Sequence, residues 1–484
     1  MAEEELPEAV EVEEDELPGL VGFIKSKFLD AETGRLSDER RWLTAYKNYR
    51  GIYDTSSTYR SSEKSKVFVR ITKVKVLASF GQISDILFAN NKFPITVSNT
   101  PIPEGIAEFA HLATPEEQMM MDQAGNVPLS QLDDFLGGLK EKYAAAQNLK
   151  EGPSVIPGSP QIEPAAIAAR NMEKQIHDQL LDTNATNVLR HAIFESALLG
   201  TGIIKGPFNF DKTVHNWQMQ DGEKIFEPYV KTVPRIEAVS CWNFYPDPSA
   251  TNIEDAEYVI QRHRYNREQL RELAKRPFFK EDAIESALEN GPQYEERYFE
   301  NTIYSEDNDP LYTENRYEVF EYWGTLDLYL AREIDLELPD NITHMDSVQI
   351  NAWVVNNKII RCVLNPFVPA RLPFHAFPYE LNPYQFFGVG VAENMEDAQL
   401  LMNGHMRMAI DNLALAGNMV FDIDETQLVP GQNMEVYPGK IFRRQSGVTG
   451  TAVNGLKFPN TAPENLQMYQ AARQLADEET GIPS

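Results

Sequence analysis

The 484-residue chain has little of what most enzymes and secreted proteins carry. Its two cysteines, Cys241 and Cys362, are too few for a disulfide framework and suit a reducing compartment. No apolar run approaches the roughly eighteen residues of a membrane span, and the acidic N-terminus is the opposite of a secretory signal, so no membrane partner is expected. Positive charge is scarce: 44 Lys and Arg stand against 73 Asp and Glu, a formal charge of −29. A surface that grips DNA must neutralise phosphates and release their counterions, so the chain as a whole argues against tight DNA binding. The same charge fits a surface past which DNA slides without sticking, and it fits plain solubility equally well.

Catalytic patterns are missing too. The eight histidines are scattered, none in an H-E-x-x-H or paired-cysteine spacing, and no G-x-S-x-G occurs. Gly200 to Pro207 (GTGIIKGP) offers glycines and Lys205, but a phosphate loop needs Gly-Lys-Ser/Thr opening a helix. Here Gly206-Pro207 follows the lysine, and a helical pattern precedes the glycines. Asp247, Glu254, Asp255 and Glu257 lack the alternation of a calcium loop, and turn chemistry around two prolines accounts better for Asp247. Asp422, Asp424 and Glu425 form the one compact carboxylate cluster. A two-metal nuclease would need further groups from distant strands, so a docking or structural role is expected, and a metal-dependent nuclease is the enzymatic alternative. No catalytic residue, cofactor or metal site is assigned.

Several patterns are present. Met1 to Leu20 carries nine acidic residues, no basic one, and Pro7 and Pro18, which reads as an acidic, disordered tail. After Ser37, a cap signal, Trp42, Tyr46, Tyr49 and Tyr53 recur at helical steps, and Val76, Phe80, Ile83 and Leu87 mark a second amphipathic face. Between Arg40 and Lys75 ten basic residues meet two acidic ones, Asp54 and Glu63, and an acidic neighbouring subunit is their expected partner. A Pro-rich linker ends near Glu163; a long helical pattern then runs from Pro164 to the break at Gly200-Thr201-Gly202. Glu281 to Asn315, with eleven acidic residues and one basic, reads as a solvated loop or edge. Tyr317–Tyr329 and Ile350–Asn365 alternate as strands, with Asn356-Asn357 as a hairpin turn.

The stretch from Leu372 to Ser484 organises the rest. Beyond Gly388 and Gly390, Met395, Met402, Met406, Ala409, Leu413 and Ala416 form one apolar stripe, predicting a helix of about 27 residues, some 40 Å long, ending near Gly417. Thr461 and Pro463 open a second helix with Leu466, Tyr469, Ala472 and Leu475 along one face. Between them lie β-formers punctuated by Pro430-Gly431 and Pro438-Gly439.

The order FGVGVAENMEDAQLLMNGHMRMAIDNLALAGN, PGKIF, APENL, ADEETGIP resembles the stem, clip and stem of tailed-phage portal proteins, the head-to-tail connectors, especially those of short-tailed phages. The helix ending near YRG, the SKVFVR segment, the Gly200–Pro207 turn and the Tyr-Pro-Asp-Pro turn are similar to portals too. The resemblance implies an α+β subunit: residues 1–36 an acidic tail, 37–90 N-terminal wing helices, 91–163 a variable insertion and linker, and 164–387 the wing. Residues 388–417 would be the first stem helix, 418–460 the clip and 461–484 the second stem helix, short of the tunnel loop, wing helix and crown or barrel that portals continue into. It implies a homo-oligomeric ring, usually twelvefold, passing double-stranded DNA with weak, non-specific contact. Partners would be the terminase large subunit, tail adaptor proteins, scaffold and the major capsid protein. The setting would be the virion's portal vertex, with assembly in the host cytoplasm. By position, Met395, Met402, Met406 and Leu413 would pack the stem, and Gly388 and Gly390 would set the wing-to-stem bend. Asp422, Asp424, Glu425, Lys440, Arg443 and Arg444 would make clip contacts, and Arg407 is the candidate to face the channel. Another virion adaptor or scaffold protein is the non-enzymatic alternative.

Overall fold

The structure is a computed structural model that describes residues 19–53, 64–88, 93, 95–98, 111–112, 161–162, 164–215, 217–220, 223–226, 228–304, 315–333, 347–418, 420–437, 439–447 and 449–483. Its helices are α1 (Gly19–Gly34), α2 (Leu36–Arg50), α3 (Ile71–Leu87), α4 (Pro164–Asp182), α5 (Ala185–Leu199), α6 (Arg267–Ala274), α7 (Glu281–Glu289), α8 (Glu300–Tyr304), α9 (Leu328–Glu333), α10 (Val391–Asn394), α11 (Glu396–Gly417) and α12 (Ala462–Thr480). Its strands are β1 (His111–Leu112), β2 (Gln161–Ile162), β3 (Thr201–Val214), β4 (Trp217–Gln220), β5 (Glu223–Phe226), β6 (Tyr229–Val239), β7 (Phe244–Pro246), β8 (Tyr258–Tyr265), β9 (Tyr317–Asp327), β10 (Ser347–Val355), β11 (Lys358–Leu364), β12 (Phe374–Pro378), β13 (Val420–Ile423) and β14 (Val453–Leu456). The class is α+β: helices and antiparallel sheets, as expected.

The chain divides into two compact units. The larger takes Met1–Ile83, Leu189–Gly206 and Glu237–Ser484. Its centre is a five-stranded antiparallel sheet in the order β11-β10-β9-β8-β7. Side chains alternate across a strand, so β9 and β10 supply two cores at once. Phe320, Tyr322, Leu326, Val348, Ile350, Ala352 and Val354 face α1, which buries Leu20, Val21, Ile24, Phe28 and Ala31 against them. Tyr317, Val319, Trp353 and Val355 face the other way, onto Leu270, Leu273, Ile284, Ala287 and Leu288 of α6 and α7. Each of these large apolar side chains contributes on the order of 1.5–3 kcal/mol. Gly324 is where the sheet admits no side chain: a Cβ there would lie 2.5 Å from Tyr258 Cβ.

Asn356 and Asn357 turn the β10–β11 hairpin, both at positive φ (44° and 65°), as the sequence predicts for a two-residue turn matched to strand twist. The Asn356 amide also donates to the carbonyls of Ala287 and Gly291, tying the turn to α7.

Four expectations need correction. An acidic tail is expected over 1–36, but Gly19–Gly34 is a helix, because its apolar residues at helical spacing cover one face of the sheet; residues 1–18 lie outside the described set. The cap position before α2 is Arg35, not Ser37: its guanidinium is buried, donates to the carbonyls of Cys241, Trp242 and Phe244, and bonds Glu39. The acidic stretch from Glu281 is not a solvated loop over its described part. It forms α7 and α8 and buries Phe299 and Glu300, because Arg262 supplies the cation that Glu300 needs, at 2.5 Å. The long helical pattern after Pro164 is two helices, divided at Asn184, whose φ of 56° stops the first; the second ends at Gly200, as read.

The smaller unit takes Ser84–Val188 and Pro207–Ile236. It holds α4, the far half of β3, most of β6, the β4–β5 hairpin and the β1–β2 pair. Lys231 pairs with Asp182 at 2.7 Å across its surface. The region 91–163 is largely outside the described residues.

Candidate functional site

The site that the sequence singles out, the α10–α12 region, lies wholly in the larger unit. Instead of one 27-residue helix there are two: Met395 leaves helical geometry (φ −106°, ψ 16°) and divides α10 from the 22-residue α11. Met395 and Met402 are fully buried, packed with Ala398, Ile71, Ala472 and Ala476. The α12 face in this contact is small: Ala462, Ala472 and Ala476 are its buried residues, which lets the two helix backbones come close. Leu466 and Leu475, expected on that face, are 44% and 38% exposed. On α11, Met406 is half-buried and Leu413 is 59% exposed, because α11 runs past the start of its partner. Asn412 fixes that start, donating to Pro459 O (3.1 Å) and accepting from Thr461 N (2.8 Å).

A second stripe on α11 is polar and buried, and sequence reasoning missed it. Gln399, Asn403, Arg407 and Asp411 recur every four residues, hence on one face. Gln399 Oε1 accepts from Thr72 N (3.2 Å) and Thr72 Oγ1 (2.8 Å), and its Nε2 donates to Val69 O (2.6 Å). Asn403 Oδ1 accepts from Val69 N (2.9 Å), and the Asp411 carboxylate accepts from Lys64 N and Ser65 N. Residues 64–70 thus run as an extended strap into the first turn of α3, and helix side chains satisfy its backbone groups where a sheet would use strand backbone. Arg407 lies in this stripe, 3% exposed, its guanidinium 4.9 Å from the centre of the Tyr53 ring. Within the subunit, Tyr53 lies over it. The run of four-spaced polar residues inside an apolar helix was the signal available in sequence.

The N-terminal basic cluster is partly consumed here as well. Arg41 bonds Glu393 at 2.8 Å and also Asp38, and the buried Lys75 ammonium meets Asp477 and the Ile482 carbonyl. Lys64, Lys66, Arg70 and Lys73 stay exposed.

Beyond α11, β13 and β14 pair antiparallel, placing Asp422 opposite Asn454. Asp424 caps a 3₁₀ turn, Glu425–Gln427; its carboxylate accepts from Thr426 N and Oγ1 and from Gln427 Nε2, bonds that hold it below the usual carboxylate range. That is turn chemistry, and no group of carboxylates, histidines or cysteines able to hold a metal occurs among the described residues. Asp422, Glu425, Arg443 and Arg444 are exposed. Backbone bonds at Arg443 and the Leu428–Arg444 bridge set the inner ladder. Lys440 donates to Asn433 O and sits 5.3 and 5.4 Å from the Tyr437 and Phe442 ring centres.

Gly388 and Gly390 let two backbones cross. A Cβ on Gly388 would lie 2.5 Å from Glu380 O, and one on Gly390 2.8 Å from Gly200 N. Gly200, at φ +97°, would meet Gly388 O at 2.3 Å. The crossing is pinned by Gly388 N donating to Thr201 Oγ1. Next to it, Lys205 binds no phosphate: it is buried, paired with Glu321 at 2.5 Å and bonded to Gln261. Burial alone would raise the Glu321 pKa; Lys205 and His263 outweigh it and hold it at about 2. Glu195 accepts from Cys241 N at 3.0 Å without a cation, and burial pushes it up to about 7. Asp247, as the sequence suggests, is a turn residue, accepting from Ser249 N, Ser249 Oγ and Glu257 N.

The helix pair thus presents exposed leucines and carries a solvent-exposed hairpin. The chain belongs to a family of tailed-phage portal proteins: residues 169–484 match the family described as Phage SU10 portal protein. No individually curated protein matches it. No described helix is long and apolar enough to cross a membrane.

Proposed function

We propose that the chain is one subunit of a ring, twelvefold as is usual for portals, that forms the DNA channel at one vertex of the virion capsid. The observation that carries this is the apolar surface left open on α11 and α12: Leu401, Met408, Leu413, Leu415, Met468 and Leu475 are 38–59% exposed. A row of this kind on a packed helix pair marks an interface, and copies arranged head to tail close into a ring when the rotation permits. Met395 and Met402 stabilise the subunit, and the exposed residues join subunits.

In this reading α11 and α12 are the stem, and residues 418–460 are the clip. The clip receives the terminase large subunit during packaging and tail adaptor proteins afterwards. Scaffold and major capsid protein surround the wing, and the ring assembles in the host cytoplasm. The motor hydrolyses ATP and the ring guides DNA, so the chain's role is structural. The net charge of −29 keeps DNA moving, since phosphates are repelled along the passage.

Native mass spectrometry of the purified chain tests the proposal. A closed species near twelve times 55.0 kDa is expected, with only weak duplex binding that falls steeply with salt. A species of 55.0 kDa alone at micromolar concentration, or nanomolar DNA binding at physiological salt, would overturn it.

A further inference from the structure

Two surfaces of the larger unit are complementary, and one copy cannot bring them together. The first is a seam on the helix pair. Leu401, Met408 and Leu415 are spaced by seven on α11, as are Met468 and Leu475 on α12, and seven residues return to nearly the same side of a helix. All five are exposed. Around the seam stand Asp397, Glu464, Glu478 and Glu479, also exposed. Glu479 has its pKa raised, by burial first and then by the like charge of Asp397, so two carboxylates sit close with no cation between them to relieve the repulsion.

The second surface is the outer side of the strap and the start of α3. It exposes Val67, Val74 and Leu77 at 42–55%, interleaved with the cations Lys64, Lys66, Arg70 and Lys73. The strap is bonded to α11 through Gln399, Asn403 and Asp411. Leu401 is two residues from Asn403, about 200° around the helix at about 100° per residue. The strap of a copy therefore lies away from that copy's own seam.

We infer that the basic strap of one copy seats on the acidic-rimmed apolar seam of the next. The partner is a second copy of this chain because each surface supplies what the other lacks: leucines and methionines meet valines and a leucine, and four carboxylates meet four cations. The contact is head to tail, as a ring requires. It rests on the ring reading above and deepens it by stating which two surfaces meet. It also accounts for the cations in a chain otherwise so acidic, with Lys75 and Arg41 anchoring the strap region from within.

Charge reversal in the full chain tests this by sedimentation velocity. The variant Lys64→Glu with Lys66→Glu and the variant Glu464→Lys with Glu478→Lys should each weaken assembly by roughly tenfold or more, because like charges then face each other. Both should keep the wild-type circular dichroism and melting temperature, since all four side chains are exposed. Mixed one to one, the two variants should recover wild-type assembly, because each then offers the surface that the other needs. Wild-type rings indifferent to both variants, or variants that fail singly and also fail when mixed, would overturn the inference and leave the ring reading standing. A wild-type chain that never multimerises would overturn both.

Discussion

Replacing Gln399 by alanine should loosen the strap measurably. The side chain is 1% exposed and makes three bonds: to Thr72 N at 3.2 Å, to Thr72 Oγ1 at 2.8 Å and to Val69 O at 2.6 Å. The substitution leaves the Thr72 amide and the Val69 carbonyl facing a cavity. An unsatisfied buried polar group costs about 1–3 kcal/mol, so a local loss of about 3 kcal/mol is expected. At about 1.4 kcal/mol per decade, hydrogen exchange at the Val69 and Thr72 amides should quicken by about a hundredfold. Ile350, in the middle of the main sheet, should keep its protection, because the strap opens without unfolding the sheet. Gln399→Glu is a sharper control: it keeps an acceptor for Thr72 and loses the donor to Val69 O, so its effect should be intermediate at Thr72. Unchanged exchange at both strap amides in the alanine variant would refute the view that α11 side chains hold this segment.

Other consequences are independent of the strap. Glu321 has a folded pKa of about 2 against a usual 4.5, so its ionisation stabilises the fold above about pH 4.5, and that contribution is lost as pH falls toward 2; of about 3 kcal/mol in full, about 2 kcal/mol should disappear between urea titrations at pH 6 and pH 3. Glu195 has the opposite sign: raised to about 7, it favours the fold below about pH 4.5, and that advantage disappears as pH rises to 7. Glu195→Gln should therefore stabilise the protein at pH 8 by about 3 kcal/mol and make little difference at pH 4.5; equal effects at both would contradict this. Lys205→Met leaves the buried Glu321 carboxylate with His263 and the Trp323 indole N–H but no lysine, and should cost about 3–5 kcal/mol by denaturant titration. Gly200→Ala combines a φ of +97° with a Cβ 2.3 Å from Gly388 O, so a loss of at least about 3 kcal/mol is expected; a loss below about 1 kcal/mol by denaturant titration would contradict the crossing.

What could be read from sequence was whatever local period and turn chemistry decide. The alternation in β9, β10 and β11 predicts strands whose two sides bury different neighbours, and Asn356-Asn357 predicts the turn. Helices α11 and α12 follow from spacing, as do the end of α11 at Gly417 and the start of α12 after Thr461. What could not be read was burial set by distant partners. Leu413 shares a stripe with Met402, yet α12 begins opposite Asn412 and leaves the end of α11 uncovered. Arg407 looks like an isolated cation on a long helix until a strap more than 300 residues earlier places Tyr53 over it. The segment after Glu281 looks solvated because its charge is so one-sided, but Arg262, on β8, takes in Glu300 and Glu318 together. The glycines at 388 and 390 were visible as chain breaks; their role in letting one backbone cross another needed Gly200 to be in place.

The claim on which most depends is that the open side of the α11–α12 pair joins copies of this chain around a hole. Electron micrographs of the purified 484-residue protein test it most directly. Class averages should contain closed rings with a central opening wide enough for duplex DNA. Averages containing only compact particles of single-subunit size, at concentrations where the seam should be covered, would contradict it.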